Sequence, residues 1–136
     1  MKTYDFENTI HASIERVWDV LHSPSDIISE WNAKIEPISN TQWKEIADGD
    51  LYNVFTASFK NDEYLLHIES VNSKYSSESN NIHINLKAID STTTKVSVHY
   101  EIKTGAIFNK ISLALFGEKL AHHAEKVIMK NIEKKL

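Results

Sequence analysis

Seven histidines, no cysteine and a series of hydroxyl side chains at alternating positions are the residues of this chain that could do chemistry. Without cysteine there is no disulfide framework, no thiolate metal site and no thiol nucleophile. His122 and His123 look like a metal pair, but neighbouring residues on a helix diverge by about 100°, so the two rings cannot converge on one ion. His122 reads as solvated, whereas His123 borders the buried face and is either a capped, half-exposed imidazole or one that reaches a ligand. His83 and His99 are expected to oppose each other on the outer surface of a sheet with no carboxylate triad, which makes them surface residues rather than metal ligands. No HExxH, GxSxG, phosphate-loop or GxGxxG spacing occurs. Neither a metal nor a cofactor is expected, and no residue is assigned a catalytic role.

The inner face of the central strands is more suggestive. Phe55, Leu66, Ile68, Ile84, Leu86 and Val98 supply apolar walls, with Phe59 beside them. Asn53, Tyr75, Ser77 and Tyr100 add an amide and hydroxyls to the same face, as do Tyr64, Ser70 and Ser79. Mostly apolar walls with a few placed polar groups are the composition of a small-molecule pocket. Phe116, Leu120 and His123 of the last segment would close it. The same pattern also fits tyrosines at sheet edges with their hydroxyls in water. No Asp, Glu, Lys or Arg falls on this face, so proton transfer would rest on His123, a tyrosine or bound water.

Several elements must position these groups. Residues 3–10 alternate, with Tyr4, Phe6 and Ile10 on one face and Asn8 the odd polar member of it, the period of a half-buried strand. Ser13 can cap a helix carrying Ile14, Val17, Trp18 and Leu21, with Glu15 in its first turn. His22-Ser23-Pro24 ends that helix, because a residue before proline is pushed out of the helical region. A second short helix then groups Ile27, Ile28 and Trp31. From Lys34 to Lys103 the pattern is a meander of strands at 34–40, 50–59, 63–71, 74–79, 82–89 and 94–103, with two-residue turns at Asn72-Ser73 and Asn80-Asn81. In that register Ile82 meets Tyr100, Ile84 meets Val98, Phe59 meets Tyr64 and Ala57 meets Leu66. The outer face receives His67, Glu78, His83, His99 and Glu101.

The last segment, about Ala106 to Lys135, reads as one long helix with Leu113, Phe116, Gly117, Leu120, Ala124, Val127 and Asn131 on its buried face. Ala121 and Ile128 stand at the margin. Ile107, Phe108, Ile111 and Leu115 point the opposite way, a second stripe that offers a homodimer contact or a cover for a cavity mouth.

At 136 residues, 41% apolar and 25% charged, with three glycines and two prolines, the chain is expected to form one compact, soluble domain over residues 1–136. The first residues lack the apolar run of a secretory leader and no stretch approaches the roughly 20 apolar residues of a membrane span. A cytoplasmic address and no membrane span are the expectations. The net charge of −4, with Lys126, Lys130, Lys134 and Lys135 near the end and no basic field around them, argues against a nucleic-acid partner.

The order of strand, two short helices, strand meander and long helix, with the stretches "SIERVWDVLHSPSDIISEW", "KIEPIS" and "LFGEKLAHHAEKVIMKNIEKKL", resembles the START-like (Bet v 1-like, SRPBCC) superfamily, and within it the small bacterial polyketide cyclase/dehydrase-type proteins. The resemblance spans the chain. It implies an α+β helix-grip fold, a curved antiparallel sheet of about seven strands wrapped around a long C-terminal helix. It also implies that the two short helices form a V, with Trp18 and Trp31 as wedges. The function it implies is binding of an apolar or amphiphilic, lipid- or polyketide-like small molecule between sheet and helix. A cyclase, dehydratase or hydrolase using the same cavity, and a protein-interaction module using the second stripe, are the alternatives.

Overall fold

A computed structural model of the chain describes residues 2–30, 32–74, 79–103 and 107–136, the side chains of 107–116 excepted. Strand β1 (Lys2–Ile10) leads into α1 (Ile14–Val20) and α2 (Pro24–Ile28). β2 (Lys34–Pro37), β3 (Gln42–Asp48), β4 (Leu51–Lys60), β5 (Leu65–Asn72), β6 (Ser79–Asp90) and β7 (Thr93–Lys103) follow, and α3 (Ile107–Lys135) closes the chain. The seven strands form one antiparallel sheet in the order β1-β7-β6-β5-β4-β3-β2. No helix among the described residues is long and apolar enough to cross a membrane.

The two short helices start and stop for local reasons. Ser13 is extended and its hydroxyl accepts from the Arg16 amide at 3.3 Å, satisfying one orphan donor of α1. Pro24 sits in the first turn of α2, where its fixed φ suits the helix and no amide is missed. Asn131 of α3 donates its side-chain amide to the carbonyls of Ile27 and Ser29, both at 2.9 Å. The C-terminal carbonyls of α2, which have no partner within that helix, are thereby tied to the long helix.

The core lies between the sheet's inner face and the helices. Val17, Leu21 and Ile27 from the short helices meet Leu66, Ile84, Val96 and Val98 of the sheet, and Ile128 and Ile132 of α3, all essentially inaccessible. Each such side chain is worth about 1.5–3 kcal/mol in burial. Trp18 is the expected wedge: it is buried and meets His22, Phe59 and Tyr64 edge-on at 5.1–5.8 Å. Trp31 lies outside the described residues, while Trp43, buried on β3 and stacked on Phe55 at 5.3 Å, fills the far end of the sheet.

The register agrees with expectation for Ile82 opposite Tyr100 and Ile84 opposite Val98. Elsewhere the meander differs. β3 was absent from the expected strands, because Glu45 faces inward and Ile46 outward, which breaks the apolar alternation. The turn at Asn80-Asn81 does not form; both residues lie inside the 12-residue β6, Asn80 opposite Ser70 and Ile102, and Asn81 opposite Glu69 and Glu101. Turn-forming composition is overruled here because the Asn81 side chain is bonded to the His67 ring at 2.8 Å. Asn80, not Ser79, therefore shares the inner face. The β4–β5 turn is longer than two residues, so Phe59 pairs with Leu66 and Ala57 with Ile68, shifted by two positions with the same face inward. Tyr64 sits in that turn with φ 51°, a left-handed conformation that costs a non-glycine residue about 1–2 kcal/mol. Its carbonyl accepts from the Leu86 amide at 3.0 Å and its ring packs on Trp18.

On α3 the buried face is turned by about one position from that expected. Ala121, Glu125, Ile128, Met129 and Ile132 are buried, while Leu120 is 59% exposed. The reason is Glu125, a carboxylate in the middle of the buried stripe, which breaks the apolar period. It accepts a hydrogen bond from the Asn8 side-chain amide, and His122 Nδ1 stands 3.4 Å from its other oxygen. Asn8, the polar exception on β1, thus answers the polar exception on α3.

Candidate functional site

Between the inner sheet face and α3 the described residues bound a cavity of about 200 Å³. Its sheet wall comes from Glu45 of β3, Phe55 of β4, Ser70 of β5, Asn80 and Ile82 of β6 and Tyr100 of β7. The cross-strand register places these side by side: Ser70 pairs with both Phe55 and Asn80, and Ile82 with Tyr100. The helical wall is His123, Ala124, Val127 and Ile128 of α3, with Ile28 and Glu30 from the end of α2.

The walls are apolar and the polar groups are few. Ser70 is 6% exposed. Neither its hydroxyl, nor that of Tyr100, nor the Asn80 amide makes a side-chain hydrogen bond to any described residue. Burial pushes the Tyr100 hydroxyl up from its ordinary pKa, so it is a neutral donor and acceptor. Glu45 is held above the usual carboxylate range chiefly by burial and further by the nearby charge of Glu30, with the Ser29 hydroxyl opposing at 3.5 Å. At the mouth, the His123 ring is bonded through Nε2 to Glu30 at 2.7 Å. The same pair borders an outer groove of about 230 Å³ with Lys130, Asn131 and Lys134. His123 is thus two-thirds exposed and stands between interior and solvent.

Of the expected site residues, Phe55, Tyr100 and His123 come together in this cavity. Leu66, Ile68, Ile84, Leu86 and Val98 face inward as expected but are packed into the core, 0–3% exposed, and do not border the cavity. Asn53 faces inward too, but accepts from Asn72 at 3.1 Å outside the cavity. Leu120 points away, as the rotation of α3 requires. Tyr75 and Ser77 lie outside the described residues, as do the side chains of Phe116 and of the stripe Ile107, Phe108, Ile111 and Leu115. The expectation of a charge-free inner face is overturned by Glu45, opposite Asn53. Glu45 was missed with its strand, and Glu30 because a residue after a short helix carries no periodic signal; Ile28 was read only as part of the second helix's apolar group. No apolar alternation marks β3, whose inward pair is Trp43 and Glu45 and whose outward pair is Lys44 and Ile46.

On the opposite sheet surface His67, His83 and His99 share one register across β5, β6 and β7. The first two rings stack at 4.4 Å and His99 is bonded to Asp5 and Glu101. Among the described residues no group of three or more such side chains is arranged to hold a metal ion.

No family model matches the chain, and no curated protein matches it by sequence. Solved structures do match in shape. A Thermus thermophilus protein superposes with TM-score 0.70 at 14% identity over 98% of this chain and 96% of that one. The Zhui aromatase/cyclase of Streptomyces sp. R1128 gives 0.70 at 9% identity over 98% and 93%. Norcoclaurine synthase of Thalictrum flavum, a point mutant with a transition-state analogue, gives 0.68 at 18% over 99% and 96%. A seven-stranded curved antiparallel sheet, two short helices after the first strand and a long final helix are what these molecules share. The chain has the helix-grip fold of these structures.

Proposed function

We propose that the protein binds an apolar or amphiphilic small molecule in the cavity between the sheet and α3. The observation that carries this is the cavity's lining: Phe55, Ile82, Val127 and Ile128 as walls, and Ser70, Asn80 and Tyr100 with hydrogen-bonding capacity that no described residue uses. A buried polar group such as Ser70 costs free energy unless bonded, and with the half-buried Asn80 and Tyr100 beside it the cavity suits a ligand with matching groups. The volume suits a ring-sized molecule, or the ring end of a lipid- or polyketide-like one, since about 150 Å³ is enough for benzene. Native mass spectrometry of the protein as purified from cells tests it. A single small molecule, lost on denaturation, is expected; a protein that carries none and takes up none from a cell extract contradicts the reading.

A second reading, an enzyme of the cyclase or dehydratase kind, is favoured by one observation. Glu45 is a partly desolvated carboxyl in the cavity, and its raised pKa brings it closer to the range in which a carboxyl exchanges protons near neutrality. Turnover lost on Glu45→Gln while ligand is still retained would support this reading, and turnover kept in that variant would exclude Glu45 as the proton carrier.

A further inference from the structure

Among the described residues, two carboxylates and no lysine or arginine line the cavity. Glu30 is already answered by His123 at 2.7 Å. Glu45 is not: among the described residues its one partner is the Ser29 hydroxyl at 3.5 Å, the outer limit of a hydrogen bond, although a carboxylate can accept about four. Lys130 and Lys134 lie in the outer groove, on the other side of the Glu30–His123 pair. A second group points to a ligand independently of charge. Ser70 is more than nine-tenths buried, lines the cavity and has no side-chain partner among the described residues.

Resting on the binding reading above, we propose that the ligand is a small organic cation, a primary or secondary amine on a ring-sized apolar body, with its ammonium on Glu45. An ammonium is all donors and no acceptor. The Glu45 carboxylate accepts the ammonium's donors, while the Ser70 and Tyr100 hydroxyls, on other strands of the same cavity wall, can bond a polar group on the ligand's body. A neutral ligand leaves the carboxylate's charge uncompensated in a partly desolvated site. An anion adds repulsion from both Glu30 and Glu45. The ring then lies among Phe55, Ile82 and Ile128.

Three isosteres that differ in charge test this by calorimetry at neutral pH and low salt: 2-phenylethylamine, 2-phenylethanol and phenylacetate. The amine is expected to bind at least tenfold more tightly than the alcohol, with the carboxylate weakest. Glu45→Gln, which keeps the side chain's shape, brings the amine down to the alcohol's affinity. Glu36→Gln, which removes the same charge from exposed β2, keeps the amine's advantage and so separates a local carboxylate from bulk charge. Melting curves confirm that each variant is folded. An alcohol or carboxylate that binds as tightly as the amine, or an amine advantage that survives Glu45→Gln, overturns the cation assignment and leaves the cavity reading standing. Failure of all three compounds to bind overturns the cavity reading and this inference with it.

Discussion

Replacing Asn8 by alanine removes the amide that answers Glu125. The Glu125 side chain is 6% exposed, and its remaining partner, His122 Nδ1, stands at 3.4 Å. A hydrogen bond to a charged group contributes about 1.5–3 kcal/mol, and a buried carboxylate that loses its donor meets most of its desolvation penalty, so Asn8→Ala should cost about 2–3 kcal/mol. In a chain of this length that is a fall of roughly 6–12 °C in melting temperature. Urea denaturation measures it, with an unchanged slope showing that the native and denatured states keep their surface. A double-mutant cycle isolates the pair. Asn8→Val alone strands Glu125 and Glu125→Leu alone leaves the Asn8 amide unpaired, while the two together replace both by apolar groups and should cost well below the sum of the singles. A cost below about 0.5 kcal/mol for Asn8→Ala, or strict additivity in the cycle, would refute the argument that these two residues anchor α3 on β1.

Trp18→Ala should destabilise by about 3–5 kcal/mol in chemical denaturation, because a buried ring with three aromatic neighbours is lost; a loss under about 1 kcal/mol would mean that it is no wedge. Ala124→Phe should fill the cavity at a cost of about 1–3 kcal/mol and abolish binding while the fold survives; retained binding would place the ligand elsewhere. The outer histidines give opposing pH effects. Burial and the neighbouring His67 hold the His83 pKa below 6.5, so its contribution is present above that unfolded value and lost as the pH falls through the folded one. The bond to Asp5 raises His99, so its contribution is complete below 6.5 and lost as the pH rises through the folded value. Between pH 7.5 and 5, His83→Gln should therefore lessen the acid loss of stability and His99→Gln should deepen it; the same profile in both variants would contradict the assignment.

What the sequence made legible was set by apolar period. The α1–Pro24–α2 break, the inward run Ile82, Ile84, Leu86 and its pairing with Tyr100 and Val98 all follow from alternation and turn chemistry. What escaped was wherever a polar side chain faces inward because a distant partner or the cavity receives it. Glu45 concealed β3, Glu125 shifted the apparent face of α3, and Asn80-Asn81 imitated a turn. Each of these depends on residues far apart in the chain, such as Asn8 and Glu125, which no local pattern connects. The candidate site is built largely from such exceptions, which is why Phe55, Tyr100 and His123 were found and Glu30, Glu45 and Asn80 were not.

The central claim, a ligand cavity between the sheet and α3, is tested most directly by a heteronuclear NMR titration with 2-phenylethanol. The account predicts saturable shifts confined to Phe55, Ser70, Ile82, Tyr100, Ala124 and Ile128, all of them lost in Ala124→Phe. Shifts that never saturate, or that fall on the outer sheet face around His67, His83 and His99, would contradict it.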